Sequence, residues 1–192
     1  MKDFDEIHRL LTEQRPVAWD AMPDIALYMD QVISYLPRLT VGTAEDVTLT
    51  PAMVNNYIKD GLLPRANGKR YGREHLAYLS AIALLKNVLS VKSIKLLLDE
   101  EVADGDVKGF YSRFLEKVDT SFEDVASVID ASIGSEDLAE FALDLAVTSC
   151  AAKVACDQLL DVLRERTEQS EPANEKRNEK SKTHEKKVQR GE

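Results

Sequence analysis

Two adjacent asparagines and several cations near the middle of the chain carry side chains that can bind DNA. An asparagine amide can donate to and accept from adenine in the major groove, whereas lysine and arginine pair with phosphates. The alternative interpretation is that the asparagines are ordinary surface amides or helix caps. The predicted DNA-binding residues are Asn55, Asn56, Tyr57, Lys59, Arg65, Lys69, Arg70 and Arg73.

The charge of this region contrasts with that of the whole chain. The 192 residues carry a net charge of −9, which argues against a protein that coats nucleic acid indiscriminately. Residues 50–98 hold eight Lys or Arg against two acidic residues, a balance of +6, whereas residues 99–163 hold four against sixteen, or −12. A local basic region still attracts phosphates, because salt screens charges beyond about 10 Å. A solvated basic face is the alternative.

Helix signals place the asparagines on a short helix. Thr50 is a candidate N-cap, Pro51 suits the first helical position, and Gly61 suits the left-handed residue that ends a helix. The helical period then puts Asn55, Asn56 and Lys59 opposite an apolar side that includes Val54, Tyr57 and Ile58. The Tyr57 ring either packs in the core or brings its hydroxyl to a phosphate.

The following residues predict a β-hairpin. Residues 62–65 and 69–71 can form two short strands, and Asn67-Gly68 is a dipeptide favoured in type I′ turns. The hairpin tip is basic, so it can serve as a wing that contacts the phosphate backbone while the preceding helix enters the groove.

The rest of the chain is predicted to be mainly α-helical. The final helix, extending to about Arg166, is apolar on nearly all faces from Phe141 to Cys156, so neighbouring helices or a second subunit must cover it. The polar tail lacks the apolar residues needed to offset ordering entropy. The predicted divisions are an N-terminal helical arm (1–21), a winged helix-turn-helix (22–98), a helical dimerisation or regulatory domain (106–166) and a disordered charged tail (167–192).

Four sequence motifs resemble a known family. The segment NNYIKDGLL resembles the first DNA-binding half of the MerR regulators. The similarity is closer to the bacterial DUF1836 family, an uncharacterised group of MerR-like proteins. The motifs are MDQV (Met29–Val32), NNYIKDGLLP (Asn55–Pro64), YGREHL (Tyr71–Leu76) and LLKNVLS (Leu84–Ser90).

The resemblance implies a MerR-like winged helix-turn-helix. Asn55, Asn56, Tyr57 and Lys59 would then belong to the recognition helix, and Lys69 and Arg70 to the wing. Asn55 stands where MerR regulators usually place an arginine. The loop at 37–49 is longer than the usual turn of about 3–4 residues.

No residues form a recognisable catalytic or metal-binding motif. The three histidines, His8, His75 and His184, are far apart, and His75 suits a surface or capping role. Cys150 and Cys156 lie about 240° apart around a helix, so they cannot hold one metal together. We therefore predict no enzymatic activity, no cofactor and no metal.

Together these features predict a sequence-specific DNA-binding transcriptional regulator that binds double-stranded DNA as a homodimer. The chain has no apolar run of membrane-spanning length and no secretory signal, which predicts a cytoplasmic protein without membrane association. The alternative is a protein–protein interaction module that keeps the winged-helix fold without binding DNA. The sequence leaves open whether a small-molecule effector binds.

Overall fold

Seven helices account for most of the residues that the structure describes. This computed structural model describes residues 4–41, 49–129 and 138–188, with side chains for 6–41, 49–129 and 138–169. Short 3₁₀ turns lie at Trp19–Ala21 and Leu36–Arg38. The helices are α1 (Phe4–Glu13), α2 (Met29–Tyr35), α3 (Pro51–Lys59), α4 (Arg73–Leu85), α5 (Val91–Glu101), α6 (Val107–Val128) and α7 (Leu138–Val188).

The predicted β-hairpin wing is wrong, although the mainly helical character agrees with the prediction. Within the described residues there is no β-strand, only two isolated antiparallel residue pairs. The predicted first strand, 62–65, instead terminates α3. The backbone N–H groups of Leu62 and Leu63 both donate to the Tyr57 carbonyl, at 2.8 and 3.0 Å. These two N–H groups therefore bond to the last turn of α3 and do not pair with a second strand.

The predicted second strand pairs with a different part of the chain. Tyr71 and Leu27 exchange backbone hydrogen bonds, at 2.8 and 2.9 Å, and both side chains are buried. Because Leu27 is extended, the helix that follows it, α2, begins only at Met29. A long-range pairing thus replaces the local hairpin.

The core of the first compact unit, Met1–Phe141, is built around α4 and α6. Both α1 and α4 pack against α6. Fully buried apolar side chains in the described part of this unit come from α2 to α5 and from the segments between them, and these include Val32, Leu36, Leu39, Val54, Leu63, Leu76, Leu79, Ile82, Ile94 and Leu98. The domain boundaries predicted at 98 and 106 both fall inside this unit.

A buried polar network crosses this core. The Tyr111 hydroxyl donates to the Val17 carbonyl at 2.8 Å and lies 3.3 Å from Ser80 Oγ, which donates to the Leu39 carbonyl at 2.6 Å. Burial raises the pKa of Tyr111 to about 12, although the Ser80 hydrogen bond acts in the opposite direction. Each hydroxyl therefore has a partner where water is excluded.

Helix α6 continues for 22 residues without a break. Thr120 lies within this helix and does not cap a new one, and its hydroxyl donates to the Glu116 carbonyl one turn earlier, at 3.0 Å. The helix therefore continues to Val128.

The second compact unit, Ala142–Glu192, contains most of α7. The helix continues through 168–188, where the composition of the sequence predicts a disordered tail. Along one face, Leu143, Val147, Cys150 and Val154 recur at spacings of four, three and four residues. All four are exposed.

Candidate nucleic-acid interface

Helix α3 presents one polar face and buries the other, as the sequence predicts. The predicted cap is confirmed: Thr50 Oγ1 accepts a hydrogen bond from the Met53 N–H at 3.3 Å, and Pro51 occupies the first turn. Val54 and Tyr57 are buried, whereas the exposed residues of the helix are Pro51, Ala52, Asn55, Asn56 and Lys59. Asn55, Asn56 and Lys59 span about 100° of the helix circumference, so they share one surface.

The C-terminal end of α3 is held by a lysine from α5. Gly61 adopts a φ of +69°, which confirms its predicted role in ending the helix. Lys95 Nζ donates to the Gly61 carbonyl at 3.2 Å and to Asp99 at 2.7 Å. A cation at this position also complements the negative end of the helix dipole. Helix α3 is thus fixed at both ends.

A tight turn follows at residues 67–70. Asn67 and Arg70 exchange backbone hydrogen bonds at 3.1 and 3.0 Å. The central residues with positive φ are Gly68, at 56°, and Lys69, at 65°, which are the angles of a type I′ turn. The turn is therefore one residue later than Asn67-Gly68, and a lysine occupies a left-handed conformation that disfavours side chains.

An aromatic ring supports Arg70. Its guanidinium carbon lies 4.8 Å from the centre of the Tyr28 ring, and one of its N–H groups donates to the Tyr28 hydroxyl at 2.9 Å. Both residues are exposed. Because a guanidinium has five N–H donors, Arg70 retains donors for an external anion.

His75 joins the two ends of the segment that contains the turn. Its Nδ1 accepts from the Gly72 N–H at 3.1 Å, and its Nε2 lies 3.4 Å from the Arg65 carbonyl. This arrangement fits a neutral imidazole with the proton on Nε2, which then donates to Arg65. The ring also meets Tyr71 edge-on, at 5.4 Å between centres. The predicted capping role of His75 is confirmed.

Two of the predicted site residues are engaged inside the protein. Tyr57 is 5% exposed, and burial raises the pKa of its hydroxyl. Arg73 is half-buried, donates to the Met22 carbonyl at 3.1 and 3.3 Å, and forms an ion pair with Asp24. The Tyr57 ring is therefore part of the core, and the charge of Arg73 is largely compensated.

The remaining predicted cations are exposed to solvent. Lys59, Arg65 and Lys69 form no ion pair with any residue in the described ranges, and each is exposed. Exposed charges of this kind are available to a phosphate. Asp60 is the one acidic residue next to Lys59 in the sequence, and it is also exposed.

Sequence reasoning missed three of the contacts that position this surface. Tyr28 supports Arg70, Lys95 holds the end of α3, and His75 joins Arg65 to Gly72. The first two contacts join residues that are distant in the chain, and no local pattern predicts them. The third contact adds Arg65 to the predicted cap, in which His75 follows a helix start by three residues.

Comparison with known proteins places the chain in a family. A family described as "Domain of unknown function (DUF1836)" matches residues 17–114, which include α2 to α5 and the first part of α6. No curated protein and no solved structure shows significant similarity to the chain. The match covers just over half of the chain and confirms the family that its motifs resemble. The chain therefore belongs to the DUF1836 family.

Proposed function

We propose that this protein is a sequence-specific DNA-binding transcriptional regulator. Helix α3 enters the major groove through Asn55, Asn56 and Lys59, and the basic turn that contains Lys69 and Arg70 contacts the phosphate backbone. The observation that carries the proposal is the exposed face of α3. Two adjacent amides and a lysine lie on a helix whose opposite face is buried and whose ends are held by Thr50 and Lys95.

The exposed amides favour base recognition over a purely structural role. Asparagine is a poor helix former, and neither side chain forms a hydrogen bond with a residue in the described ranges. The unpartnered amide can donate and accept at the same adenine. The exposed cations add affinity that does not depend on sequence.

We also propose that the regulator acts as a homodimer in the cytoplasm. One short helix in one groove gives limited affinity, and two-fold pairing on a pseudo-palindromic site doubles the contacts. The exposed apolar face of α7, defined by Leu143, Val147, Cys150 and Val154, supports such pairing, because an apolar stripe with this spacing suits a helix–helix contact. Sedimentation of the full chain should then give twice the 21.5 kDa of one chain.

The experiment that tests DNA recognition begins with selection from a randomised duplex library. The recovered sequences define a preferred duplex, and a shuffled duplex of the same composition is the control. Replacing Asn55 and Asn56 with Ala should reduce the preference between the two by at least about thirty-fold, since the two base contacts of each chain contribute roughly 1–3 kcal/mol each. Replacing Lys69 and Arg70 with Ala should weaken both duplexes by a similar factor.

The outcome separates recognition from general charge attraction. Recovery of no preferred sequence, or an unchanged preference after the asparagine substitutions, would contradict base reading by α3. If both pairs of substitutions lowered affinity for the two duplexes equally, Asn55 and Asn56 would be backbone contacts only.

A protein-interaction module is the second candidate function. The charge of −12 over residues 99–163 supports it, because such a segment can contact a basic protein surface. Affinity purification of the full chain with and without nuclease distinguishes the two functions. Partners that remain after nuclease treatment would favour the interaction module, and partners lost with the DNA would favour the regulator.

A further inference from the structure

An apolar groove lies between α4, α5 and α6, within the first compact unit. Its volume is about 330 Å³, near the lower end of the roughly 300–1,000 Å³ of small-molecule sites. Leu84 and Leu97 line two sides, and Phe110, Phe114 and Val118 line the third. The groove is therefore large enough to hold the apolar part of a small ligand.

The lining of the groove is well ordered by packing. The Phe110 and Phe114 rings stack with their centres 6.1 Å apart, and both rings are almost completely buried. Val118 and Leu98 are also buried. The groove is open at the surface, and its walls are apolar side chains that packing holds in place.

The edge of the groove carries a positive charge. Arg113, Lys117 and Ser121 follow one another at four-residue spacing on α6, so they form one row beside the apolar lining. Arg113 donates to the Glu101 carbonyl at 3.2 Å and lies 3.5 Å from its carboxylate, so Glu101 compensates its charge. Lys117 is exposed and has no ion-pair partner within the described ranges.

We propose that this groove binds a small amphipathic anion, in which an apolar chain or ring carries a single carboxylate. The apolar part would lie against Leu97, Phe110 and Phe114. The carboxylate would meet the ammonium of Lys117 and the hydroxyl of Ser121. This assignment follows from the combination of an apolar lining with one uncompensated cation at its edge. It does not depend on DNA binding and is tested separately from it.

The test is calorimetric titration of the full chain with sodium octanoate and, in parallel, with octanol. The two probes share an apolar chain, but octanol lacks the charge. We expect octanoate to bind saturably at one site per chain and more tightly than octanol. Lys117→Glu should weaken octanoate about four-fold, since an exposed pair contributes about a factor of two and reversal adds a similar repulsion. Octanol binding should be unchanged.

Two further variants locate the site. Lys92→Glu, which reverses an exposed lysine of α5 outside the groove, should leave octanoate binding unchanged. Leu97→Trp should fill part of the groove and weaken both probes, with helical circular dichroism as the check on folding. If Leu97→Trp fails to fold, the Lys117 and Lys92 variants still decide the result.

Three outcomes would overturn the proposal. The first is the absence of saturable octanoate binding at millimolar concentration. The second is an equal effect of Lys117→Glu and Lys92→Glu on octanoate. The third is that Leu97→Trp converts a dimer to a monomer while octanoate gives no binding heat. That result would mean that the groove holds a second copy of the chain.

Discussion

Substitutions of Lys69 test both the conformation of the basic turn and the contact with DNA that we propose for it. The Lys69 φ of 65° places a lysine in the left-handed region, which costs about 1–2 kcal/mol for a residue with a side chain. Glycine removes this cost but loses roughly 0.5–1 kcal/mol through its greater freedom in the unfolded chain. We therefore expect Lys69→Gly to stabilise the fold by about 0.5–1 kcal/mol.

The matched control is Lys69→Ala, which removes the ammonium but keeps the strained conformation. In urea unfolding, Lys69→Gly should raise the midpoint by about 0.4 M, for a denaturant slope of roughly 2 kcal/mol/M. Lys69→Ala should leave the midpoint close to that of the native protein. Both variants should weaken duplex binding equally, because both lack the cation.

The DNA measurement has its own expected magnitude. Each variant removes one phosphate contact per chain and two per dimer, so the slope of log affinity against log salt should become less steep by about 2. Equal stability of the glycine and alanine variants would refute the left-handed conformation at Lys69. An unchanged salt slope in both variants would refute its contact with phosphate.

Two other predictions concern residues inside the fold. Arg73→Gln should lower the free energy of unfolding by about 1–2 kcal/mol, because it removes the bonds of this guanidinium to Met22 and Asp24. The salt slope of duplex binding should stay unchanged, and a reduced slope would show that Arg73 contacts DNA. Unfolding in urea should show stability falling as the pH rises from about 10 towards about 12, since the folded pKa of Tyr111 lies above that of the unfolded chain. Tyr111→Phe should flatten this decline relative to the native protein, and an identical decline in both would contradict the buried hydroxyl.

Helix α3 was predictable because its signals are local. Thr50 and Gly61 determine where α3 begins and ends, and the helical period separates buried Val54 from exposed Asn55. These signals act over one or two turns, and the surrounding fold does not override them. The exposed face of the candidate site follows from them.

The absence of the predicted β-hairpin could not be seen in the sequence, because it depends on residues that are distant in the chain. Asn67-Gly68 favours a tight turn, and a tight turn does form there, shifted by one residue. Whether the flanking residues become strands depends on competition for their backbone groups. The Leu62 N–H bonds to the end of α3, and the backbone of Tyr71 bonds to Leu27. The two segments therefore do not form the hydrogen bonds of a hairpin.

The same limit applies to individual charges. In the sequence, Arg73 and Lys69 are equivalent cations near one turn. The fold places Asp24 and the Met22 carbonyl beside Arg73, whereas no residue in the described ranges pairs with Lys69. Because these partners are distant in the chain, the sequence could identify the basic region but not which of its cations remain available.

The salt dependence of duplex binding tests the central claim most directly. Lys59, Arg65, Lys69 and Arg70 provide four exposed cations per chain, and Arg73 is excluded by its internal partners. With one phosphate contact from each cation in a dimer, log affinity should fall against log salt with a slope of about −7. Titrating the full chain against its selected duplex over a range of salt concentrations measures this slope. A slope near zero would contradict DNA binding by this surface.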